Sequence, residues 1–177
     1  METTALPRTV EPGEIVYRDR NQFIQRVVAT FDGFTKEYFV SDHGVRAALL
    51  AVADGRVLFT RQYRLLINAV SFEIPGGRVD RGESPDAAAI RECLEETSVL
   101  CAHLKPLIRF QPSLDIWNND THVFFSDHCE TAGALAGDRA AWIPLVESLD
   151  MVFDGRIADS LSVTALLAYH ARQRGWR

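Results

Sequence analysis

The stretch from Ile74 to Val99 constrains the fold of this chain more than any other part of it. It reads IPGGRVDRGESPDAAAIRECLEETSV, which predicts the end of a strand, a glycine-rich loop and then a helix. Ser84, Pro85 and Asp86 predict the start of the helix, because serine can cap a helix, proline suits its first position, and aspartate favours its positive end. The fold must therefore hold a loop of small residues directly before an acidic helix.

The predicted helix carries three glutamates on one face. Glu92, Glu95 and Glu96 stand at positions i, i+3 and i+4, and this spacing places their side chains together. Like charges on one turn repel each other, whereas a divalent cation would reverse that interaction, and carboxylate oxygens suit Mg²⁺ or Mn²⁺. The simpler alternative is a solvated acidic face on an ordinary amphipathic helix. The apolar face predicted to be buried opposite the acids consists of Ala87, Ile90 and Leu94, with Ala88 and Cys93 at its margins.

The spacing of fixed residues across the loop and the helix resembles the Nudix hydrolase signature, GX5EX7REUXEEXGU. The residues that match it are Gly77, Glu83, Arg91, Glu92, Glu95 and Glu96. Two positions depart from the signature, since Ser98 stands where the family has its last glycine and Cys93 occupies an aliphatic position. A glycine just past a helix end relieves a left-handed backbone, so Ser98 should cost about 1 kcal/mol without removing a metal ligand.

Composition favours a single globular domain in the cytoplasm. The chain has 177 residues, of which 47% are hydrophobic and 24% charged, and its net charge of -5 offers no general attraction to nucleic acid or anionic membranes. No apolar run approaches the length of a membrane span, and the N-terminus lacks a secretory signal pattern. The three cysteines, Cys93, Cys101 and Cys129, are odd in number and form no CxxC, so we expect no disulfide framework and a reducing compartment.

The order of predicted strands and helices indicates a mixed α/β fold. Residues 1 to about 14 are predicted to be loose, and strands follow at 15–17, 23–31 and 35–40, the last two joined by an Asp32-Gly33 hairpin. So small a sheet buries little by itself and must lie on the main domain or on a partner chain. We therefore predict an N-terminal β extension at 1–42, which dimerises, and a main domain at 43–177.

Three softer segments extend the resemblance to the ADP-ribose pyrophosphatase branch of the Nudix hydrolases. They are RQYR at 61–64, EIPGG at 73–77 and GRIADSLSVTALL at 155–167. The fold that the resemblance implies is a Nudix α/β/α sandwich with a mixed sheet and an N-terminal antiparallel β extension. The implied assembly is a homodimer that exchanges its N-terminal sheets.

The resemblance also implies a metal site and the residues that support it. The implied ligands of Mg²⁺ or Mn²⁺ are Glu92, Glu96, Glu95 (directly or through water) and the backbone carbonyl of Gly76. Arg91 and Glu83 would hold the loop against the helix, although an ordinary surface ion pair is the simpler alternative.

Two arginines are the first candidates for binding a diphosphate. Arg64 is preferred and Arg61 comes second, because a guanidinium matches the geometry of phosphate oxygens. Pro112 and Asp120 lie in a segment that resembles the substrate-lining loop of the family. An Asn-Asn-Asp turn explains Asp120 equally well.

The general base stays open at the level of the sequence. Acids of a late loop often serve in the ADP-ribose pyrophosphatase branch, but here the loop reads CETAGALAGDRAAW and places Arg139 where an acid commonly stands. The remaining candidates are Glu130, Asp138 and Glu95.

The resemblance as a whole implies metal-dependent hydrolysis of the pyrophosphate bond of a nucleoside diphosphate sugar. ADP-ribose is the leading candidate, and the products would be a nucleoside monophosphate and a sugar phosphate. The alternative is a non-catalytic Nudix-fold sensor of ADP-ribose-like nucleotides. The presence of Glu92, Glu95 and Glu96 favours the enzyme. The missing acid in the late loop and the serine at position 98 leave the sensor as an alternative. An isomerase acting on an allylic diphosphate would need a reactive acid and cysteine that the sequence does not place.

Overall fold

A computed structural model describes residues 5–176 and divides the chain into two compact units. The first unit contains the chain up to Gly44 together with Gln111–Asp120, and the second contains Val45–Phe110 and the chain from Thr121 onwards. In chain order the elements are β1 (Thr9–Arg18), β2 (Phe23–Phe31), β3 (Phe34–Asp42), β4 (Arg46–Ala53), β5 (Arg56–Arg64), β6 (Ala69–Glu73), β7 (Gly76–Arg78), α1 (Pro85–Thr97), β8 (Val99–Ala102), β9 (Lys105–Phe110), β10 (Trp117–Asn118), β11 (Thr121–Ser126), β12 (His128–Thr131), β13 (Ala140–Pro144), α2 (Leu145–Phe153) and α3 (Ser160–Gln173).

The first unit is a four-stranded sheet in the order β1-β2-β3-β10. The β2–β3 hairpin turns at Asp32-Gly33, as predicted, and Gly33 has a φ of 86°. The prediction that the chain is loose to about residue 14 is wrong from Thr9 onwards, because the backbone there pairs with β2. Irregular register on either side of Ile15 accommodates Pro12 and Gly13. Residues 1–4 lie outside the described part of the chain.

The second unit is built on a seven-stranded mixed sheet. Its path is β13-β5-β4-β11-β9, with β6 paired to β5 and β7 paired to β4. The strands β4 and β11 are parallel, whereas β4 pairs with β5 and β7 in antiparallel fashion. The nearly continuous apolar run of residues 45–53 predicts a strand buried on both faces, and Ala47 through Ala51 are indeed fully buried.

Helices cover both faces of this sheet, so the predicted α/β/α arrangement is confirmed. On one face Ala47 and Leu49 pack with α1, and on the other Leu50 packs with residues of α2 and α3. Alternate residues of one strand thus supply two separate cores. Whether residues 1–42 act as a separate dimerising extension stays a prediction.

The buried face of α1 differs from the predicted one. Ala87 and Leu94 are exposed, and Ile90 is only partly buried. The residues that are buried are Ala88 and Cys93, which were predicted at the margins of the face, together with Ala89 and Thr97. The prediction failed because it put the apolar residues opposite the acids. The helix rests on β4 through small residues that lie beside Glu92 and Glu96 in the helical turn, so the acids flank the buried face.

Cys101 and Cys129 form a disulfide, which corrects the expectation that the cysteines are unpaired. The two residues stand opposite each other where β8 and β12 pair in antiparallel fashion. The spacing of the cysteines in the sequence does not reveal this register. Cys93 is free and buried. The disulfide removes the argument from cysteine usage for a cytoplasmic location.

Helices that combine the length and the apolar character needed to cross a bilayer are absent from residues 5–176.

Candidate active site

The glycine-rich loop lies directly against α1. Its strand β7 pairs with β4, with Gly76 opposite Ala48 and Gly77 opposite Ala47. A methyl group at Gly77 would overlap the carboxylate of Glu92, and one at Gly76 would overlap the backbone of β4. The absence of side chains at both positions therefore lets the loop fit between the sheet and the acidic helix.

The helix begins and ends as its sequence predicts. Ser84 occupies the cap position with an extended backbone, although its side chain makes no capping hydrogen bond, and Pro85 is the first helical residue. The end of the helix is marked by Ser98, whose φ of 63° and ψ of 25° lie in the left-handed region and whose N–H bonds the carbonyl of Leu94. Ser98, which stands where the signature has glycine, therefore has the strained backbone that the sequence predicts.

Glu96 is held by hydrogen bonds to both of its carboxylate oxygens. The backbone N–H of Gly76 donates to Oε2 at 3.2 Å, and the side-chain amide of Gln62 donates to Oε1 at 3.0 Å. Burial raises the pKa of Glu96, the hydrogen bond from Gly76 opposes that rise, and the charge of Glu92 adds to it. A cation beside this carboxylate would stabilise its charged form and oppose the rise in pKa.

Arg91 connects the loop to three of the predicted acids. Its Nε and Nη2 donate to the two carboxylate oxygens of Glu83, each at 3.0 Å, and Nη2 also reaches the carbonyl of Arg78 at 3.1 Å. Its Nη1 donates to Glu92 at 2.8 Å and to Glu95 at 3.4 Å. The hydrogen bonds from Arg91 lower the pKa of Glu83. These contacts tie the loop to the helix, in the manner that the predicted role of the pair requires.

The chemistry of the acidic cluster fits a hard divalent cation. Glu92 and Glu96 offer carboxylate oxygens beside a glycine loop, and Glu95 extends from the same turn with a side chain that is 59% exposed. Within the part of the chain that the structure describes, no three acidic, histidine or cysteine side chains are already assembled as a metal-binding group. Because Arg91 pairs with Glu92, a cation that gathers all three glutamates has to compete with that ion pair.

Arg64 is paired with a buried acid. Its Nε donates to Glu73 at 2.7 Å, and its Nη2 forms a short second bond to the same carboxylate. Glu73 is buried, whereas the Arg64 side chain is about half exposed. Arg64 is thus fixed in orientation by Glu73, while Nη1 is not used by that pair.

The side chains of Arg61 and Arg64 project from opposite faces of β5. Side chains of a strand alternate between its faces, so residues three apart project in opposite directions. Arg61 donates to the backbone carbonyl of Asp138 at 3.3 Å and lies over the ring of Phe72. The structure therefore separates the two arginines that the sequence grouped, and Arg64 shares its face with Gln62.

Four other residues were predicted from the sequence to take part in the site. Glu130, in β12, and Asp138, in the short 3-10 turn before β13, are both exposed, and neither is hydrogen-bonded to the acids of α1 in the contacts described above. Pro112 and Asp120 belong to the first unit, so their roles stay predictions. Sequence reasoning missed Gln62, although the RQYR segment contains it two residues before Arg64.

Comparisons with known proteins find similarity over more than half of the chain. A family model described as the NUDIX domain matches residues 42–158. A relative from Streptomyces rubellomurinus, the CMP-5'-(N-acetyl-N-hydroxy-3-aminopropyl)phosphonate hydrolase, is 30% identical over 138 residues, covering 73% of this chain and 67% of the relative. The ADP-ribose pyrophosphatase of Mycobacterium tuberculosis is 26% identical over 149 residues, covering 77% of this chain and 70% of the relative.

A solved structure shares the fold over nearly the whole chain. It is a crystal structure of an ADP compounds hydrolase, which superposes with a TM-score of 0.78 at 20% identity and covers 99% of both chains.

Proposed function

This chain belongs to the NUDIX family and is a NUDIX hydrolase, and from that premise we propose that it cleaves the pyrophosphate bond of a nucleoside diphosphate sugar. The leading substrate is ADP-ribose, and the products are a nucleoside monophosphate and a sugar phosphate. Members of the family generally use divalent metal ions. The ion proposed here is Mg²⁺ or Mn²⁺.

One observation carries this proposal: the glycine loop presses against two glutamates of α1. A side chain at Gly77 would displace the carboxylate of Glu92, and the N–H of Gly76 donates to Glu96. The charges of Glu92 and Glu96 repel each other beside this partly buried loop, and a divalent cation bound between them would relieve that repulsion. A solvated acidic face has no need of such a loop.

Glu92, Glu95, Glu96 and the carbonyl of Gly76 are the proposed ligands. A divalent cation held there would neutralise charge on the diphosphate and lower the pKa of a bound water. Arg91 and Glu83 keep the loop and the helix in register, through the ion pair that joins them at 3.0 Å.

Arg64 is the proposed diphosphate contact. The bond from its Nε to Glu73 leaves the guanidinium plane fixed, so the free N–H groups keep one direction when a phosphate approaches. Glu95, Glu130 and Asp138 remain the candidates for the group that accepts the proton of the attacking water.

ADP-ribose is preferred because of the relatives' chemistry. One relative is an ADP-ribose pyrophosphatase, and another hydrolyses a CMP-linked phosphonate. Both substrates join a nucleoside monophosphate to a second group. A sugar nucleotide with another base is therefore the first substitute to test.

We also propose that the chain is a homodimer and that its N-terminal sheet takes part in the interface. Every residue of β1 is exposed, including Val16 and Tyr17, each of which is about half exposed. An edge strand with exposed apolar side chains is a natural place for a second chain to pack.

The test of the activity uses the purified full chain with Mg²⁺ or Mn²⁺ and a panel of nucleotide sugars. Release of the monophosphate products is read as inorganic phosphate after treatment with a phosphatase. We expect turnover of at least one nucleoside diphosphate sugar, and a loss of at least about 100-fold in kcat for Glu96→Gln. The matched control is Glu147→Gln, an exposed acid in the first turn of α2, which should keep full activity.

Two outcomes would change the assignment. Full activity in Glu96→Gln would remove the acids of α1 from the chemistry. Binding of ADP-ribose without turnover of any nucleotide in the panel would indicate a sensor in place of an enzyme.

A further inference from the structure

The β5–β6 ribbon presents a row of polar side chains on one face. Thr60 stands opposite Glu73, and Gln62 stands opposite Ser71. Residues opposite each other in an antiparallel pair project from the same face, and alternate residues of one strand do so as well. Arg64 therefore belongs to this row too. Buried polar groups need hydrogen-bond partners, so each member of the row is expected to have one.

Three members of the row have partners of different kinds, whereas the buried hydroxyl of Ser71 has no hydrogen-bond partner among the residues that the structure describes. The hydroxyl of Thr60 donates to the backbone carbonyl of Glu73 at 3.2 Å, and Arg64 pairs with the Glu73 side chain. The amide of Gln62 leaves the ribbon altogether and donates to Glu96 of α1, across a sequence separation of 34 residues. The contact thus links the sheet to the acid that we propose as a metal ligand.

The direction of this hydrogen bond is fixed by chemistry. An ionised carboxylate has no hydrogen to donate, so the amide nitrogen of Gln62, not its oxygen, must face Glu96. Gln62 holds Oε1 and the N–H of Gly76 holds Oε2. A carboxylate has about four acceptor positions, so these two donors leave others for a cation. Without Gln62, only one oxygen of Glu96 is fixed.

Gln62 orients the carboxylate of Glu96 without adding a charge to the site. Arg91 pairs with Glu92 through a full positive charge, which competes with a cation for the same oxygen. The amide of Gln62 is neutral and does not repel a cation in this way. We propose that Gln62 is a positioning residue that holds Glu96 in the orientation needed to bind the divalent cation. This inference rests on the proposed function, because it assumes that Glu96 is a metal ligand.

Two variants remove the hydrogen bond by different means. Gln62→Met keeps the length of the side chain and loses the donor, whereas Gln62→Asn keeps an amide that is too short to reach Glu96. Binding of Mn²⁺ is measured from the electron paramagnetic resonance signal of the free ion, with no nucleotide present. We expect the Kd for Mn²⁺ to rise about 10-fold in both variants, the effect typical of losing a group that orients a metal ligand.

The matched control is Gln25→Met in the first unit. Gln25 also donates a side-chain amide hydrogen bond of 3.0 Å, to the carbonyl of Gly13, and its loss should leave the Kd for Mn²⁺ unchanged. Activity adds a second readout. For both Gln62 variants the loss of kcat at low Mn²⁺ should be recovered at high Mn²⁺, with the KM for ADP-ribose unchanged.

The two proposals fail in different ways. If wild type and Glu96→Gln bind Mn²⁺ equally, the metal site itself is wrong. If Glu96→Gln loses binding while both Gln62 variants bind like wild type, only the role of Gln62 is overturned. If the Gln62 variants unfold at a lower denaturant concentration in EDTA but bind Mn²⁺ with unchanged affinity, Gln62 only stabilises the packing of β5 against α1 and does not position the metal ligand.

Discussion

Ser98 adopts a left-handed backbone conformation, with a φ of 63°, at the end of α1. An L side chain in this region costs about 1–2 kcal/mol, and glycine avoids that cost but gains entropy in the unfolded chain. We therefore expect Ser98→Gly to raise the free energy of unfolding by about 0.5–1 kcal/mol. Urea unfolding should show a higher midpoint with an unchanged slope.

The control for this prediction is a serine in ordinary helical backbone. Ser160→Gly, at the first residue of α3, should not raise stability, because the backbone there carries no strain and glycine is a poor helix former. A loss of stability in Ser98→Gly would contradict the strain assigned to Ser98.

Asp159 caps α3 while it is largely buried. Its Oδ2 accepts from the N–H of Ser162 at 2.9 Å. Burial raises the pKa of Asp159 above the ordinary value of 3.8, and the hydrogen bonds from Ser162 oppose that rise only in part. A raised pKa means that the folded chain binds a proton more readily than the unfolded chain does. Proton binding at Asp159 therefore adds to the free energy of unfolding. This contribution is fully present below pH 3.8 and is lost as the pH rises through the pKa of the folded state.

Asp159→Asn should therefore stabilise the protein at neutral pH. Asparagine keeps the capping oxygen and carries no buried charge. The difference in unfolding free energy between variant and wild type should shrink as the pH falls towards 3.8, which urea unfolding at several pH values would measure. A difference that stays constant with pH would mean that the charge of Asp159 has no cost in the folded state.

At the scale of elements, the helix and its loop were predictable in part. The start at Ser84 and Pro85 follows from capping chemistry within a few residues, and so does the strain at Ser98. The buried face of α1 was not predictable in this way. A helix of small and acidic residues offers several faces, and its contact with β4 selects the one centred on Ala89 and Cys93.

The β8–β12 pair carries a testable prediction at the scale of elements. The disulfide between Cys101 and Cys129 spans a sequence separation of 28 residues. A cross-link that closes a loop of that size lowers the entropy of the unfolded chain and stabilises the folded protein by about 3.5 kcal/mol. The double variant Cys101→Ser, Cys129→Ser should lose about that much unfolding free energy in urea, relative to the oxidised wild type.

Reductant provides the control for the disulfide. Dithiothreitol should destabilise wild type and leave the double serine variant unchanged. Thiol titration of the denatured, unreduced chain should detect only the thiol of Cys93. Detection of all three thiols before reduction would contradict the disulfide.

At the scale of the whole molecule, the proposed homodimer has a direct test. Light scattering should give twice the mass of the 19.8 kDa chain. Val16→Glu places a charge among the exposed apolar side chains of β1 and should shift the mass towards that of one chain, whereas Glu14→Gln should not. A single-chain mass for wild type at high concentration would refute the dimer.

The sequence by itself determined what depends on neighbouring residues. Capping signals gave the ends of α1, the apolar run at β4 gave a strand buried on both faces, and the spacing from Gly77 to Glu96 gave the family. These features are local, because periodicity and backbone preference act over a few residues.

Only the tertiary structure decided which distant residues meet. The pairing of Cys101 with Cys129 and the contact between Gln62 and Glu96 both join segments far apart in the chain. Each depends on the register of two elements and on the face that each presents. A one-residue change in register exchanges the faces of a strand, so a single sequence read along its length does not fix such contacts.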